Sequence, residues 1–352
     1  MAVKEMAAKE MAATDADPLV DDEARARLAP LFHEFQDRGL ILAVSGGPDS
    51  VALMRLAAPV AREIGTAVAV VTIDHALRPG SAEEARRVGE WAREAGLPHE
   101  IRTWDGEKPA SGIQDAARAA RYALLAEAAR AAGAGAVLTA HHRDDQAETV
   151  LIRLCAGSGP GGLAGMRARA DLDGLVLARP FLDLPKARLV ATCQTHGWGF
   201  VEDPSNAAER FARARLRRVA PLLAEEGLGP ERLARLAARA ARAEDALDAV
   251  AEAAFRRLVL AETPLALDAR GLLAEPEEIA LRVLACAVRH VGAREGYERL
   301  SRLEDFWSRL ASAIATDASF RETFGGALVT LAAGRLVLEP EPPRRARHRA
   351  RS

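Results

Sequence analysis

Six consecutive residues, Ser45-Gly46-Gly47-Pro48-Asp49-Ser50, combine two glycines, two hydroxyls and a carboxylate. Paired glycines let a backbone fold tightly and present successive N–H groups as an anion nest. If the turn also opens a helix, unpaired N–H donors and the positive end of the helix dipole add to it. Such a turn cradles phosphate. It is not the G-x-x-x-x-G-K-S/T loop, because it carries no lysine. A second constellation is acidic: Asp144, Asp145 and Glu148. Spacings of three and four put Glu148 on one helical face with both aspartates. One acid suffices to offset a helix dipole. Three beside a bound phosphate suit Mg²⁺. Asp74-His75 and His141-His142 are further polar pairs. No third soft ligand stands near the histidine pair, so orienting hydrogen bonds suit it better than metal.

These residues need a frame, and the pattern around them supplies one. Residues 40–44, 66–73 and 136–140 are short apolar runs, and 99–103 is a weaker one. Residues 49–64, 81–96, 113–132 and 144–155 carry helical spacing between them. Strands alternating with helices of this length predict βαβ units and a parallel sheet, and continuous apolar strands predict one covered on both faces. The phosphate turn, Asp74-His75 and His141-His142 then all fall at strand ends, where such sheets bind ligands. Further on, residues 156–165 form a glycine-rich loop, 184–197 and 209–226 read as helices, and Phe200-Val201 reads as a strand between them. A long Ala/Arg/Leu helix occupies 231–257, and residues 328–331 and 335–338 flank a hairpin turn.

The fold class expected is therefore α/β: a doubly wound parallel sheet, then a mainly helical C-terminal domain with a terminal β-hairpin. Four segments follow: a disordered leader over 1–22, the sheet domain over 23–226, the helical domain over 227–340 and a basic, disordered tail over 341–352. The 352 residues allow two or three domains, and 49% hydrophobic with 28% charged residues is ordinary for a globular chain. Cys155, Cys193 and Cys286 lie far apart, which excludes a disulfide framework and suits a reducing cytoplasm. No apolar run is long enough to span a membrane. A net charge of −2 does not announce nucleic acid, and 4% aromatic residues argue against a broad base-stacking platform.

The string around Ser45–Ser50 resembles the PP-loop of the N-type ATP pyrophosphatases, which adenylate a carbonyl oxygen and let a nucleophile displace AMP. Other strings narrow the likeness to the lysidine synthetases. Ile73-Asp74-His75-Ala76-Leu77-Arg78 resembles their V-D-H-x-L-R, and Gly112-Ile113-Gln114 with Arg118, Arg121 and Tyr122 resembles N-I-Q-E-x-A-R-x-x-R-Y. His141–Thr149 is similar to H-H-x-D-D-Q-x-E-T. Gly157-Ser158-Gly159 with Gly162–Met166, and Asp203-Pro204-Ser205-Asn206 with Phe211, Arg213 and Arg217, resemble two later strings. The likeness covers roughly residues 40–220. Ser111-Gly112 stands where Gly-Asn is usual, Cys155-Ala156 where an arginine is common, and Leu216 where isoleucine is usual.

The resemblance implies a cytoplasmic ligase. It would join free L-lysine to C2 of cytidine 34 in the CAU anticodon of tRNA(Ile), through an adenylated cytidine, using ATP and Mg²⁺. It implies catalytic roles for Asp49, Asp145, Glu148 and Arg118, and an ATP site of Ser45, Gly46, Gly47, Pro48, Asp49, Ser50, Asp74 and His75. Mg²⁺ would lie on Asp49 and Asp145. Lysine and tRNA would meet Asp144, Asp145, Glu148, Arg78, Arg121, Arg213 and Arg217. The basic run Arg210, Arg213, Arg215, Arg217 and Arg218 suits phosphate contacts. No membrane is implied, and a homodimer is left open. The alternative is a tRNA 2-thiolation enzyme of the same superfamily. It would use paired cysteines, and Cys155 and Cys193 sit in no C-x-x-C. An ammonia-using synthetase would need a glutaminase domain, and a tRNA-binding module without catalysis would not need the acids.

Overall fold

The structure is a computed structural model. It describes residues 16–77, 80–106, 108–109, 111–201, 212–291 and 300–342, and of residues 212–214 the backbone alone. Arg78, Arg210, Phe211, the Asp203–Asn206 turn, most of the leader and nearly all of the tail lie outside the described residues. The chain divides into two compact units, Met1–Ala156 with Gly162–Ala238, and Gly157–Gly161 with Arg239–Ser352.

The first unit is built on strands β1 (Leu40–Ala43), β2 (Val68–Asp74), β3 (His99–Thr103), β4 (Ala136–Thr139), β5 (Arg169–Leu172) and β6 (Leu175–Ala178). Their spatial order is β3-β2-β1-β4-β6-β5. Each neighbouring pair is parallel except β5 with β6. Period-2 alternation shows why the strands read as unbroken apolar runs. In β1, Leu40 and Leu42 join one core with Leu28, Phe32, Met54 and Leu189, while Ile41 joins another with Leu125, Ala129 and Val137. Helices α1 (Asp21–Glu34), α2 (Pro48–Ile64), α3 (Ser81–Glu94) and α7 (Lys186–Thr195) bring buried side chains to the first core, and α4 (Ile113–Ala131) covers the second.

Element ends follow local chemistry. Helix α2 has Gly47 at its cap, Pro48 in its first turn and Gly65 at φ +80° beyond its last, the usual asymmetry of proline at the start and glycine past the end. The N-terminal segment is tied down by polar bonds. Leu19 N–H donates to Thr192 Oγ1 at 2.8 Å. The buried Arg188 donates from Nη2 and Nη1 to Glu23 Oε2 and Oε1 at 2.6 and 3.0 Å, and from Nε to Asp17 O at 2.9 Å. Those guanidinium contacts hold the Glu23 carboxyl below its usual range, against the opposing effect of partial burial.

Two expectations need correction. Phe200-Val201 forms no strand. Val201 N–H donates to Gly46 O at 2.9 Å instead and closes over the phosphate turn. The glycine-rich stretch is not all loop, because Pro160–Leu163 makes one helical turn, α6. It follows α5 (Arg143–Cys155).

After α8 (Ala212–Glu225) comes α9 (Pro230–Leu258), whose length runs past the division at residue 238. The second unit holds α10 (Ala269–Leu273), α11 (Glu277–His290) and α12 (Leu300–Ala315). It also holds a five-stranded antiparallel sheet. Its strands are β7 (Val259–Glu262), β8 (Leu265–Asp268), β9 (Phe320–Phe324), β10 (Ala327–Ala332) and β11 (Arg335–Pro340), ordered β7-β8-β11-β10-β9. The expected hairpin is β10–β11, at the centre of that sheet. Leu267, Leu272, Leu284, Phe306, Leu310 and Leu336 fill the core beneath it. No helix among the described residues is long and apolar enough to cross a membrane.

Candidate active site

Strand order reverses at β1: β2 and β3 lie to one side and β4 to the other. Ligands of doubly wound sheets bind outside the carboxyl ends of the strands at such a switch point. The phosphate turn leaves β1 there, His141-His142 leave β4, and Asp74 ends β2.

The turn is shaped by its own hydroxyls. Ser50 is buried, donates from Oγ to Gly47 O at 3.0 Å and accepts from Ser45 N–H at 3.2 Å. Ser45 is exposed, with its Oγ 3.3 Å from that of Ser50. Gly46 sits at φ +92°, and a Cβ there would meet Val88 Cγ2 at 3.2 Å. Glycine therefore answers both to the backbone angle and to the helix packed behind it.

His142 joins this turn to the acidic helix. It caps α5: its Nδ1 accepts from Asp145 N–H at 3.3 Å, and Asp145 Oδ2 accepts from His142 N–H at 3.2 Å. Its Nε2 lies 3.5 Å from Asp49 Oδ2 and 3.4 Å from Asp145 Oδ2, on a side chain 5% exposed. Burial alone would depress its pKa. The hydrogen bond to Asp49 and the charges of Asp145, Asp49 and Asp144 outweigh burial and raise it. In the neutral ring the Nε2 proton faces Asp49 and Asp145. A second proton would sacrifice the Nδ1 cap for a full charge among three carboxylates. Asp49 Oδ1 is buried with no hydrogen-bond partner, an arrangement proteins avoid unless something else binds there. Asp144 Oδ2, 3.7 Å from His142 Nδ1, accepts from Lys186 N–H at the start of α7 at 2.9 Å. His141 Nδ1 lies 2.9 Å from Thr139 Oγ1.

Glu148, one turn along α5, is paired with Arg217 on α8. Nε donates to Oε1 at 2.5 Å and Nη2 to Oε2 at 3.2 Å. This forked pair raises the Arg217 pKa further. The structure thus brings Asp49, Asp145, Glu148 and Arg217 into one network. Arg213 lies on α8, and its side chain is outside the described residues.

On the β2 side, Asp74 Oδ1 accepts from Ala76 N–H at 2.8 Å and bends the chain to φ +49° at Ala76. His75 lies edge-on to Trp104, with ring centroids 6.2 Å apart. Burial, with Arg121 and Lys108 nearby, lowers its pKa against the opposing charge of Asp74. Arg118 and Arg121 stack on Tyr122 at 5.1 and 5.2 Å. Burial would raise the Tyr122 pKa, but Arg121, Arg118 and Arg179 together lower it.

Sequence reasoning missed the residues that stake down the glycine-rich loop. Arg153 Nη1 donates to Gly162 O and Gly165 O at 2.9 and 2.8 Å. Buried Gln146 accepts from Met166 N–H at 2.7 Å and donates to Met166 O at 2.9 Å, as a strand neighbour would. Gln146 lies inside the His141–Thr149 string and could have been found there. No local signal marks Arg153. Cys155 is exposed, whereas Cys193 is buried against Pro48 O at 3.3 Å. Burial, with Asp49 nearby, pushes its thiol up to about 12, so it is no nucleophile near neutral pH. Among the described residues, no group of three or more His, Cys, Asp and Glu is arranged to hold a metal by itself.

Comparison with known proteins adds the following. The family described as the PP-loop domain matches residues 20–223. The tRNA(Ile)-lysidine synthase of Methylobacterium sp. (strain 4-46) is 60% identical over 343 residues, 95% of this chain and 98% of that protein. The tRNA(Ile)-lysidine synthase of Rhodopseudomonas palustris is 46% identical, over 96% of this chain and 100% of that protein. Among solved structures, the U34-tRNA thiolase NcsA of Methanococcus maripaludis superposes with a TM-score of 0.54 at 13% identity, covering 63% of this chain and 79% of that one. At that identity the likeness speaks for the fold alone.

Proposed function

The chain belongs to the PP-loop family and, within it, to the tRNA(Ile)-lysidine synthases, and from that premise we propose how its strand-end site works. The enzyme ligates lysine to the wobble cytidine of tRNA(Ile) at the expense of ATP. The C2 oxygen of cytosine attacks the α-phosphate and pyrophosphate leaves. The ε-amine of free lysine then attacks C2, gives up a proton, and AMP departs with the oxygen. The target base must first be unstacked from the anticodon loop.

The turn from Ser45 to Ser50 holds the phosphates at the start of α2, where backbone N–H groups meet the charge of the departing pyrophosphate. Bound Mg²⁺ would neutralise phosphate charge. Asp49 and Asp145 would hold it, and the partnerless Oδ1 of Asp49 fits that role. Two carboxylates with phosphate oxygens and water suffice, because Mg²⁺ retains much of its hydration. Asp145 and Glu148 receive the ε-amine, and one of them takes its proton. Arg217 fixes the Glu148 carboxylate for that task. Asp74 and the uncharged His75 flank the adenosine side. Arg118 and Arg121 face nucleic-acid or nucleotide phosphate. The reaction belongs to the cytoplasm, where tRNA is charged and ATP is abundant, and residues 227–340 contribute further tRNA contacts.

The observation that carries this reading is His142, whose single imidazole lies within 3.5 Å of carboxylates from both the phosphate turn and the acidic helix. It couples the ATP-cleaving and amine-receiving parts of the site. The test is incubation with a CAU-anticodon tRNA(Ile), ATP and lysine, followed by mass spectrometry of the digested nucleosides. A cytidine heavier by lysine less water, with AMP and pyrophosphate released, is expected. Sulfur incorporation from a sulfur donor, or ATP cleavage without lysine transfer, would refute it.

A further inference from the structure

Four arginines from three parts of the first unit gather at one phenol ring. Arg118 and Arg121 stand on α4, with guanidinium carbons 5.1 and 5.2 Å from the centre of the Tyr122 ring. Arg179 follows β6 directly, and its charge acts on the Tyr122 phenol together with theirs. Arg153, on α5, lies near enough to Arg118 for that charge to add to burial in lowering its pKa. The cluster adjoins the site already described. Arg121 acts on His75, the first residue past β2. Strand β6 runs parallel to β4, so Arg179 leaves the sheet at the same end as His141.

Such a gathering is costly unless something offsets it. Like charges three apart on a helix repel each other. A ring face offsets part of that repulsion, because its negative quadrupole attracts guanidinium. An anion offsets more, and a pair of planar forks matches the oxygens of a phosphate.

The cluster is also built. Arg179 is only 7% exposed. Its backbone N–H donates to Ala168 O at 2.8 Å and its Nη1 to Arg167 O at 2.6 Å, while its Nε is buried without a hydrogen-bond partner. Arg153 is tied to the carbonyls of Gly162 and Gly165. Tyr122 packs, partly buried, against the core of Leu125, Ala129 and Val137. A ring seated on a core has little freedom, whereas an arginine side chain has much to lose on ordering. We propose that Tyr122 is a positioning residue, whose ring holds Arg118 and Arg121 in place to receive one phosphate of the reacting pair, ATP or RNA. The inference rests on the adenylating, lysine-ligating reading given above. It adds to that reading the group that keeps the two arginines ready. The bland alternative is that Tyr122 only fills space beside the core, and then any apolar side chain of similar size serves equally.

The test uses the full-length enzyme with Tyr122→Leu, Tyr122→Met and Tyr122→Phe. Lysidine formation is followed while ATP and tRNA are varied separately, and tRNA affinity is measured at several salt concentrations. Leucine and methionine fill space without offering a ring face, and the use of both keeps the result from hanging on one variant's folding. Each is expected to raise one KM about tenfold. If the phosphate belongs to ATP, the KM for ATP rises and the salt slope of tRNA binding stays as it was. If it belongs to RNA, the KM for tRNA rises and the slope falls by about 0.7 for each lost contact to a single-stranded loop. Tyr122→Phe is expected to recover most of the loss. Tyr122→Leu combined with Arg118→Gln is expected to be no worse than Arg118→Gln alone within about twofold, because the ring acts through the arginine. Both KM values and the slope unchanged in the leucine and methionine variants, phenylalanine as damaging as leucine, or losses that multiply in the double variant would each overturn this inference alone, with lysidine still formed by the unsubstituted enzyme. Absence of lysidine with the unsubstituted enzyme would overturn the reading beneath it as well.

Discussion

Replacing Arg217 by glutamine separates two uses of one arginine. If Arg217 contacts tRNA phosphate, losing its charge lowers the salt dependence of tRNA affinity by about 0.9 in log–log slope. If its role is to hold Glu148, that slope stays within roughly 0.2 and the cost falls on the protein itself. The geometry sets the size of that cost. Glu148 is 13% exposed and receives two hydrogen bonds, while Arg217 is 41% exposed. Hydrogen bonds to charged groups contribute about 1.5–3 kcal/mol when sheltered, and exposed ion pairs about 0–1 kcal/mol. A half-sheltered pair falls between, at about 1–2 kcal/mol. For a unit of this size each kcal/mol lowers the thermal midpoint by about 2–4 °C, so a drop of about 2–8 °C is expected. Thermal unfolding and tRNA affinity at several salt concentrations measure both quantities. A double-mutant cycle with Glu148→Gln should return a coupling of about 1–2 kcal/mol. A slope lower by about 0.9 with an unshifted midpoint, or strictly additive single substitutions, would refute the argument.

Asp49→Ala should abolish pyrophosphate release while leaving tRNA affinity within about twofold, and ATP–pyrophosphate exchange beside filter binding reads both; sustained exchange would remove Asp49 from the phosphate site. Gly46→Ala should cost at least about 1–2 kcal/mol, because a side chain at positive φ is strained and Val88 stands 3.2 Å away; an unshifted melting midpoint would contradict it. Stability should also fall in acid through Glu23. Its folded-state pKa lies below the unfolded value, so its contribution is complete above the unfolded carboxyl range and is lost as pH falls through the lower folded value. Denaturant titrations from pH 6 downward should show a shallower acid decline in Glu23→Gln, and identical declines would exclude the Arg188 pair as a cause.

The strands and helices that carry the site were legible because each stage left a local signal. Apolar runs stop at glycine, aspartate or histidine, so helix α4 and strand β3 fall within about a residue of expectation. The β5–β6 hairpin was overlooked although it turns on Asp173-Gly174, both at positive φ, a strong signal for a two-residue turn. Strand β7 hides for another reason: it follows α9 at the next residue, with no breaker between Leu258 and Val259. Within the site, the turn and the acids could be read from spacing. The Arg217–Glu148 pair joins residues 69 apart, and the bridge from His142 to Asp49 depends on β1 and β4 being neighbours. Only the folded sheet supplies such proximity.

Gln146 and Arg153 pin residues 162–166 to α5, yet the five residues before them, Gly157–Gly161, group with the later half of the chain. Along the sequence, the second unit therefore interrupts the first. A gene exchange with one crossover near residue 238 would deliver a C-terminal half lacking those five residues and leave the donor's own five behind. The segment and the C-terminal half must match each other although 77 residues lie between them. Chimaeras of related enzymes joined near residue 238 should work better when residues 157–161 are swapped along with the C-terminal half, so that the pair is inherited as one unit.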